Sequence, residues 1–307
     1  MRVGRSGRAA AGVLAVLVTG CGVSGAESAS QRTATALVLD GRAWQQQKAQ
    51  LDTAEHSLTA KCMNTAGFKF TVPPGSSSAP SDTTSVVDLD DRRAHGYGMY
   101  EAVSKRATTA VDTDGQAPDI PDIRGLSAAD ARRWQQALAG DQQSVRTLRL
   151  SNGVEVSAGS TGCTAQSRVA VYGSIEQYLQ LLNEPQSIAA DWANRVTSDQ
   201  RYLDAVAKWA MCMKDKGYTY ARPDDAVADL QQQYERSSPA SVRPKEIATA
   251  VADGECATST GLATVASEIK AGYAKKLSAQ EERALLRDKE ILDASTARAK
   301  SIMSAPA

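Results

Sequence analysis

The chain has little histidine and little phenylalanine, with two residues of each among its 307. Its five cysteines form no Cys-x-x-Cys pair, and it has 35 basic and 35 acidic side chains. The missing pair argues against thioredoxin-like redox chemistry and against the usual zinc sites. The balanced charge leaves no electrostatic case for nucleic acid as a partner.

The two histidines offer no convincing catalytic site. His56 follows Asp52 by four residues and fits a surface helix, whereas His95 ends a short charged stretch before Gly96. Opposite charges on a short helix explain that stretch without chemistry. We therefore assign no catalytic residue from the sequence. A carboxylate pair brought together by the fold stays open, because spatial pairing is invisible at this level.

Two methionines directly follow cysteines, at Met63 and Met213. Thioether and thiolate sulfur suit Cu(I), which makes copper one interpretation. Methionine also fills irregular gaps in apolar cores, and this is the interpretation we favour. The sequence thus predicts no metal and no cofactor.

The Cys-Met dipeptides belong to a longer repeat. The segment Cys62–Phe70 (CMNTAGFKF) returns 150 residues later as Cys212–Tyr220 (CMKDKGYTY). In both copies an apolar stripe at helical spacing precedes the motif, and glycine stands where a helix would end. The aromatic-x-aromatic pattern that follows predicts a half-buried strand. We expect two equivalent helix ends.

Composition and pattern together predict a mainly α protein with a small β-hairpin (α+β). Alanine, glutamine, serine and threonine are abundant, which favours helices with a small-residue core. Alternating residues flank Asn152-Gly153, which predicts a hairpin with a two-residue turn. Ser127, Ser174, Ser198 and Ser278 fit helix N-caps.

The first residues have the pattern of an exported lipoprotein. Three arginines precede an apolar run from Ala9 to Val18, and small residues lead to Cys21. This order predicts a signal peptide over residues 1–20. The segment ending at Cys21 resembles a bacterial lipobox, which implies a diacylglyceryl group on Cys21. Residues 21–36 are small and polar and predict a flexible tether.

Export would place the remaining cysteines in an oxidising compartment, where disulfides persist. In each half one cysteine of the repeat precedes one later cysteine. We therefore predict the bonds Cys62–Cys163 and Cys212–Cys256. Pairing Cys62 with Cys212 is the second possibility.

The repeat divides the body into two halves, 37–186 and 187–307, which we expect to form one disulfide-stapled, helix-bundle-like core. Pro185 should end a helix just before the second half, and Pro244 should lie in the first turn of another. The second half ends in a long helix from Ser278. Its charge pattern fits a surface helix or one offered to a partner.

Several short motifs resemble uncharacterised lipoproteins of actinobacteria. They are the Cys-Met-x3-Gly-aromatic repeat, His95–Gly98, Trp134–Leu138, Gly162-Cys163, Val171–Gly173 and Asp253–Cys256. The resemblance implies export, lipid anchoring and paired cysteines. It implies no particular reaction or ligand. In a Gram-positive host the lipid would sit in the outer leaflet of the cytoplasmic membrane.

We therefore expect an extracytoplasmic protein of the cell membrane, anchored through its N-terminal lipid, that binds or scaffolds an envelope protein or cell-wall component. One alternative is an envelope enzyme, either a wall hydrolase or a thiol-redox protein. Another is the substrate-binding lipoprotein of a transporter. Those are usually built from two α/β lobes, and no alternating β-α pattern is evident here.

Overall fold

Helices dominate the protein, with one antiparallel hairpin. The computed structural model describes residues 29–39, 41–70, 87–110 and 126–305. Within them the predicted α-rich class with a small hairpin is confirmed. The elements are α1 Ala29–Leu39, α2 Gly41–Thr65, α3 Leu89–His95, α4 Met99–Ala110, α5 Ala128–Ala139, β1 Val145–Arg149, β2 Glu155–Gly159, α6 Gly162–Tyr172, α7 Ile175–Ser198, α8 Gln200–Asp215, α9 Pro223–Arg236, α10 Pro239–Ser259, α11 Leu262–Ala274 and α12 Ala279–Ser304.

The hairpin turn is one residue longer than predicted. The Leu150 N–H donates to the Val154 carbonyl at 2.8 Å, and the Gly153 N–H donates to the Leu150 carbonyl at 3.0 Å. The loop therefore holds three residues, Ser151 to Gly153. Gly153 takes the left-handed position that ends this kind of loop, at φ +86°. The prediction of a two-residue turn was wrong, because Leu150 and Val154 form the last hydrogen-bonded pair of the hairpin and leave three residues between them.

Three of the four predicted caps are present. The hydroxyls of Ser127, Ser174 and Ser278 accept N–H groups of the first turns of α5, α7 and α12. The fourth prediction was wrong, since Ser198 ends α7 and Asp199 caps α8 by accepting the Arg201 N–H. Asp199 offers a carboxylate where the helix dipole is positive.

Two prolines lie inside helices instead of at their ends. Pro185 sits in the middle of α7 and Pro244 lies beyond the first turn of α10, which begins at Pro239. A proline inside a helix costs about 3 kcal/mol or more, because one hydrogen bond is lost. In α7, Leu181 before the proline and Ile188 after it are both buried. Burial of α7 on both sides of Pro185 therefore offsets this cost, and the helix continues past the proline.

The two predicted halves interleave. α7 runs without a break through the division at residue 186, and α12 packs against α1, α2, α6 and α7. In return, α3 and α4 pack against α10. A side chain on Gly254 of α10 would lie 2.8 Å from Leu89, so the glycine permits this close approach. The C-terminal helix therefore contributes one face to the core, whereas its other face, with Arg287, Glu290 and Asp293, is exposed.

The predicted tether is partly folded. Residues 29–36 belong to α1, in which Ala34, Thr35 and Leu37 are buried. The prediction was wrong there, because these residues form a short stripe that packs on α12. Residues 21–28, including Cys21, and the signal peptide 1–20 lie outside the described residues. No helix in the described part of the chain is both long and apolar enough to cross a membrane.

Candidate functional site

The four body cysteines are bonded in the predicted pairs. Cys62 is joined to Cys163 and Cys212 to Cys256, with Cα–Cα distances of 5.6 and 5.7 Å. The alternative bond between the two repeat cysteines is therefore wrong. All four sulfurs are in disulfides, so none of them is a thiol in this state.

The two repeat copies adopt the same helix end. Gly67 and Gly217 have φ values of +87° and +89°. The next N–H returns to the methionine carbonyl, at 3.0 Å in the first copy and 2.9 Å in the second. Met63 and Met213 are fully buried in apolar clusters, in agreement with the core interpretation.

The aromatic segments after the glycines are not strands. Residues 68–70 and 218–220 pair with no strand among the described residues. Instead, Phe70 stacks against Trp134, and Tyr218 stacks against Tyr220, with ring centroids 6.5 and 6.0 Å apart. The alternation of aromatic and polar residues arises because the aromatic side chains face the core and the residue between them faces solvent. No described strand lies beside either segment for it to pair with.

The charged segment at His95 forms a surface turn. His95 is exposed, and its Nδ1 lies 3.4 Å from a Glu101 oxygen. Arg93 pairs with Asp90 at 2.8 Å on the same short helix. These contacts are local to the junction of α3 and α4, as expected for a helix surface.

Sequence reasoning missed a buried glutamate that holds this junction from below. Glu246 of α10 is fully buried and accepts the N–H groups of Tyr97, Met99 and Tyr100 at 2.9, 2.8 and 3.0 Å. It also accepts the hydroxyl of Tyr234. A carboxylate at these N–H groups supplies the partners that the start of α4 needs.

Asp253, two turns further along α10, acts in the same way. It accepts Trp209 Nε1 at 2.9 Å and the Tyr97 hydroxyl at 3.0 Å. Burial raises the pKa of Asp253, and nearby Arg92 opposes that rise. The seven-residue spacing of Glu246 and Asp253 was the available signal, since it places both on one helix face.

A second pair of buried acids lies on α7 and α12. Glu184 is 1% exposed and Asp288 is fully buried. Glu184 accepts both the N–H and the hydroxyl of Ser151 in the hairpin turn. Like Glu246 and Asp253, these carboxyls are enclosed by protein, so a substrate has no access to them in this structure. No group of three or more metal-binding side chains occurs among the described residues.

An open groove lies beside the hairpin, which we call the β2 groove. It has a volume of about 540 Å³, within the usual range for ligand sites. One wall comes from β2, and the rest comes from α6 and α7. Its lining residues are Val156, Ser157, Ala158, Arg168, Tyr178, Leu179, Leu182, Asn183 and Gln186.

The groove follows the unpaired edge of β2. Hydrogen bonds at Leu150–Val154 and Ser160–Ser144 fix the ladder phase, so even-numbered residues bond across the hairpin. The backbone N–H and C=O of Ser157 therefore point away from β1. Side chains from both faces of β2 line the groove, which is expected at a strand edge. No strand pairs with this edge within the described residues.

Arg168 forms the charged end of the groove. Its Nε donates to Glu55 Oε1 at 3.0 Å, and its guanidinium lies 4.1 Å from the centre of the Tyr178 ring. Burial raises the pKa of Glu55, and the positive charge of Arg168 opposes that rise. The ion pair and the ring hold the guanidinium in one position.

Comparisons of the chain with protein-family models, with curated proteins and with solved structures gave no match. The assignment of a function therefore rests on the geometry of the groove and on the sequence motifs.

Proposed function

We propose that this chain is a lipid-anchored protein of the extracytoplasmic face of the cell membrane that binds an extended polypeptide of the envelope in the β2 groove. The observation that carries this proposal is the unpaired edge of β2 above a polar and apolar floor. An extended peptide would add a third strand to the hairpin, a common mode of peptide recognition.

The groove supplies the groups that such a peptide needs. The Ser157 backbone offers one N–H and one C=O to a neighbouring strand. On the opposite wall, the side-chain amides of Asn183 and Gln186 can bond to the other edge of the peptide. Leu179 and Leu182 give an apolar floor for every second side chain.

The anchoring part of the proposal comes from the sequence. The lipobox-like segment supports a lipid on Cys21, and two acyl chains give stable attachment, whereas one alone gives marginal binding. Residues 21–28 would join the lipid to α1. No observation in the described residues favours the enzyme or transporter alternatives.

Proline substitution tests the groove sharply. Ser157→Pro removes an N–H that faces the groove and takes no part in the β1 ladder, so the hairpin should persist. Thr147→Pro is the matched control, because Thr147 lies opposite Ser157 and faces the outer edge of β1. Peptides selected from a display library against the mature protein would be measured by calorimetry.

We expect Ser157→Pro to weaken binding by at least tenfold and Thr147→Pro to leave it unchanged. Equal affinity in both variants, or no selectable peptide at all, would overturn peptide binding in the groove. Anchoring is tested separately by mass spectrometry of the membrane fraction. Cys21 should carry a diacylglyceryl group, and Cys21→Ser should release the protein from the membrane.

A further inference from the structure

The hairpin that forms the groove wall is held at its turn by α7 and α12. Glu184 accepts the Ser151 N–H at 2.9 Å and the Ser151 hydroxyl. The Asn152 amide donates to Ser187 at 2.5 Å, and the Gln280 amide donates to the Ser151 carbonyl at 3.2 Å. These contacts fix the position of β2 relative to the groove floor. Glu184 is the one charged group among them.

A second buried acid, on α12, feels the charge of Glu184. Asp288 of α12 is fully buried, and neither of its carboxyl oxygens has a hydrogen-bond partner within the described residues. The amide nitrogen of Gln180, one turn before Glu184 on α7, also has none there. An ionised carboxylate in such surroundings lacks the partners that would stabilise its charge.

The other charges around Asp288 are few. α7 contributes the charge of Glu184 and the neutral amide of Gln180, and α12 itself contributes Arg287. From α1, α2 and α6, which also pack against α12, no described charged group has a resolved influence on Asp288. Arg287 therefore supplies the opposing charge, while Glu184 adds a like charge.

We propose that Asp288 is a proton-binding site that controls how firmly Glu184 holds the hairpin turn, and thereby regulates the β2 groove. Protonated Asp288 places no like charge beside Glu184. Ionised Asp288 repels Glu184 and favours release of Ser151. The opening of the hairpin turn is independent of the proposed function. Only its effect on peptide binding in the β2 groove rests on that function.

The direction of the pH effect follows from the two states. Burial and the like charge of Glu184 together raise the pKa of Asp288 to about 8, against the opposing influence of the nearby Gln180 side chain. In an opened state Glu184 has turned away, so its like charge no longer acts on Asp288 and the pKa of Asp288 is lower. The closed state therefore binds the proton more tightly. Between these values, each rise of one pH unit favours opening by up to tenfold, and the effect levels off above the upper value. Acid tightens the hairpin and alkali loosens it.

Hydrogen exchange of the Ser151 amide measures this opening without any ligand. Protection factors, corrected for the intrinsic pH dependence of exchange, would be compared between pH 5 and 8 in the full mature protein. Asp288→Asn is nearly isosteric and cannot ionise. Asp293→Asn, on an exposed part of α12 where Asp293 pairs with Lys289, is the matched control.

We expect protection of the Ser151 amide to fall by up to tenfold per pH unit in the wild type and in Asp293→Asn. In Asp288→Asn it should stay flat. An equal slope in Asp288→Asn would overturn the proposal. Carbon-13 carboxyl spectra of the wild type give a second measurement that needs no variant. One resonance should titrate near pH 8, and an Asp288 resonance titrating below pH 5 would also overturn it. Neither measurement involves a peptide, so failure of the groove proposal would be seen separately.

Discussion

The helix ends of α2 and α8 are nearly the same structure in different surroundings. Both close with a left-handed glycine, a return bond to a buried methionine and a disulfide from the preceding cysteine. In the first copy the bond reaches Cys163 in the first turn of α6. In the second it reaches Cys256 near the end of α10. The repeat specifies how the helix ends, whereas the helix that carries the bonded cysteine is determined by the rest of the fold.

The partner helices consequently run in different directions. In the first copy, Thr59 lies before Cys62 and bonds to Ser167, which lies after Cys163, so α2 and α6 are antiparallel. In the second, Trp209 and Asp253 both lie before their cysteines and bond to each other. There the two helices run the same way locally. Equal local sequences therefore do not imply equal packing.

Removing each disulfide should have the largest effect and separate the two copies. The bonded cysteines are 101 residues apart in the first copy and 44 in the second. The longer loop restricts the unfolded chain more, so Cys62→Ala with Cys163→Ala should cost roughly 5 kcal/mol, and Cys212→Ala with Cys256→Ala roughly 4. Urea denaturation would measure both. A reversed order would show that packing around Cys256 outweighs loop length.

Truncating the two methionines tests how the surroundings differ. Met63 packs in a small cluster with Trp134 and Cys163, whereas Met213 lies in a large cluster around Trp209. A large rigid cluster collapses less around a cavity. We expect a loss of about 4 kcal/mol for Met213→Ala and about 2 for Met63→Ala.

The control for the methionine pair lies two residues away on α8. Met211 is 61% exposed, so Met211→Ala should change the free energy of unfolding by less than about 0.5 kcal/mol. Thermal and urea unfolding of the three variants would show the ranking. Equal losses for Met63→Ala and Met213→Ala would mean that the cluster size has no influence.

The polar contact behind each disulfide should differ in its pH dependence. Ser167→Ala removes the partner of Thr59 and should cost about 1 kcal/mol at every pH. Asp253→Asn keeps an acceptor for Trp209 but removes a group whose pKa burial raises. The folded wild type binds that proton more tightly than the unfolded chain, so its stability falls as pH rises above about 4.

Relative to the wild type, Asp253→Asn should therefore gain stability as the pH is raised from 4 to 7, whereas Ser167→Ala should show a constant difference. Urea midpoints at several pH values would measure this. A constant difference for Asp253→Asn would indicate that its carboxyl titrates alike in the folded and unfolded chains.

The features predicted correctly from the sequence are local or depend on the repeat. The caps at Ser127 and Ser278 and the glycine helix ends follow from short-range chemistry. The disulfide pairs follow from the order of cysteines in the two halves. The interleaving of the halves could not be predicted, because it rests on contacts such as Tyr97 with Glu246, about 150 residues apart in the chain.

The same reason explains what was missed at the candidate site. The β2 groove forms only when the hairpin lies against α6 and α7, and no short motif marks Ser157 or Asn183 as neighbours. Pro185 was misread because its local cost is offset by burial of α7 on both sides. Asp288 sits in a helix whose charges suggested a surface, yet its carboxyl faces the core.

The smallest effect, and the one on which the two copies should agree, concerns the glycines. A Cβ added to Gly67 or Gly217 would meet no other atom within 4 Å, so only the left-handed backbone is penalised. Gly67→Ala and Gly217→Ala should each cost about 1 kcal/mol. At Gly140, by contrast, a Cβ would collide with the backbone of Gly162, and Gly140→Ala should cost clearly more. Unequal losses at positions 67 and 217 would show that the partner helix, and not the helix end alone, determines the conformation of the turn.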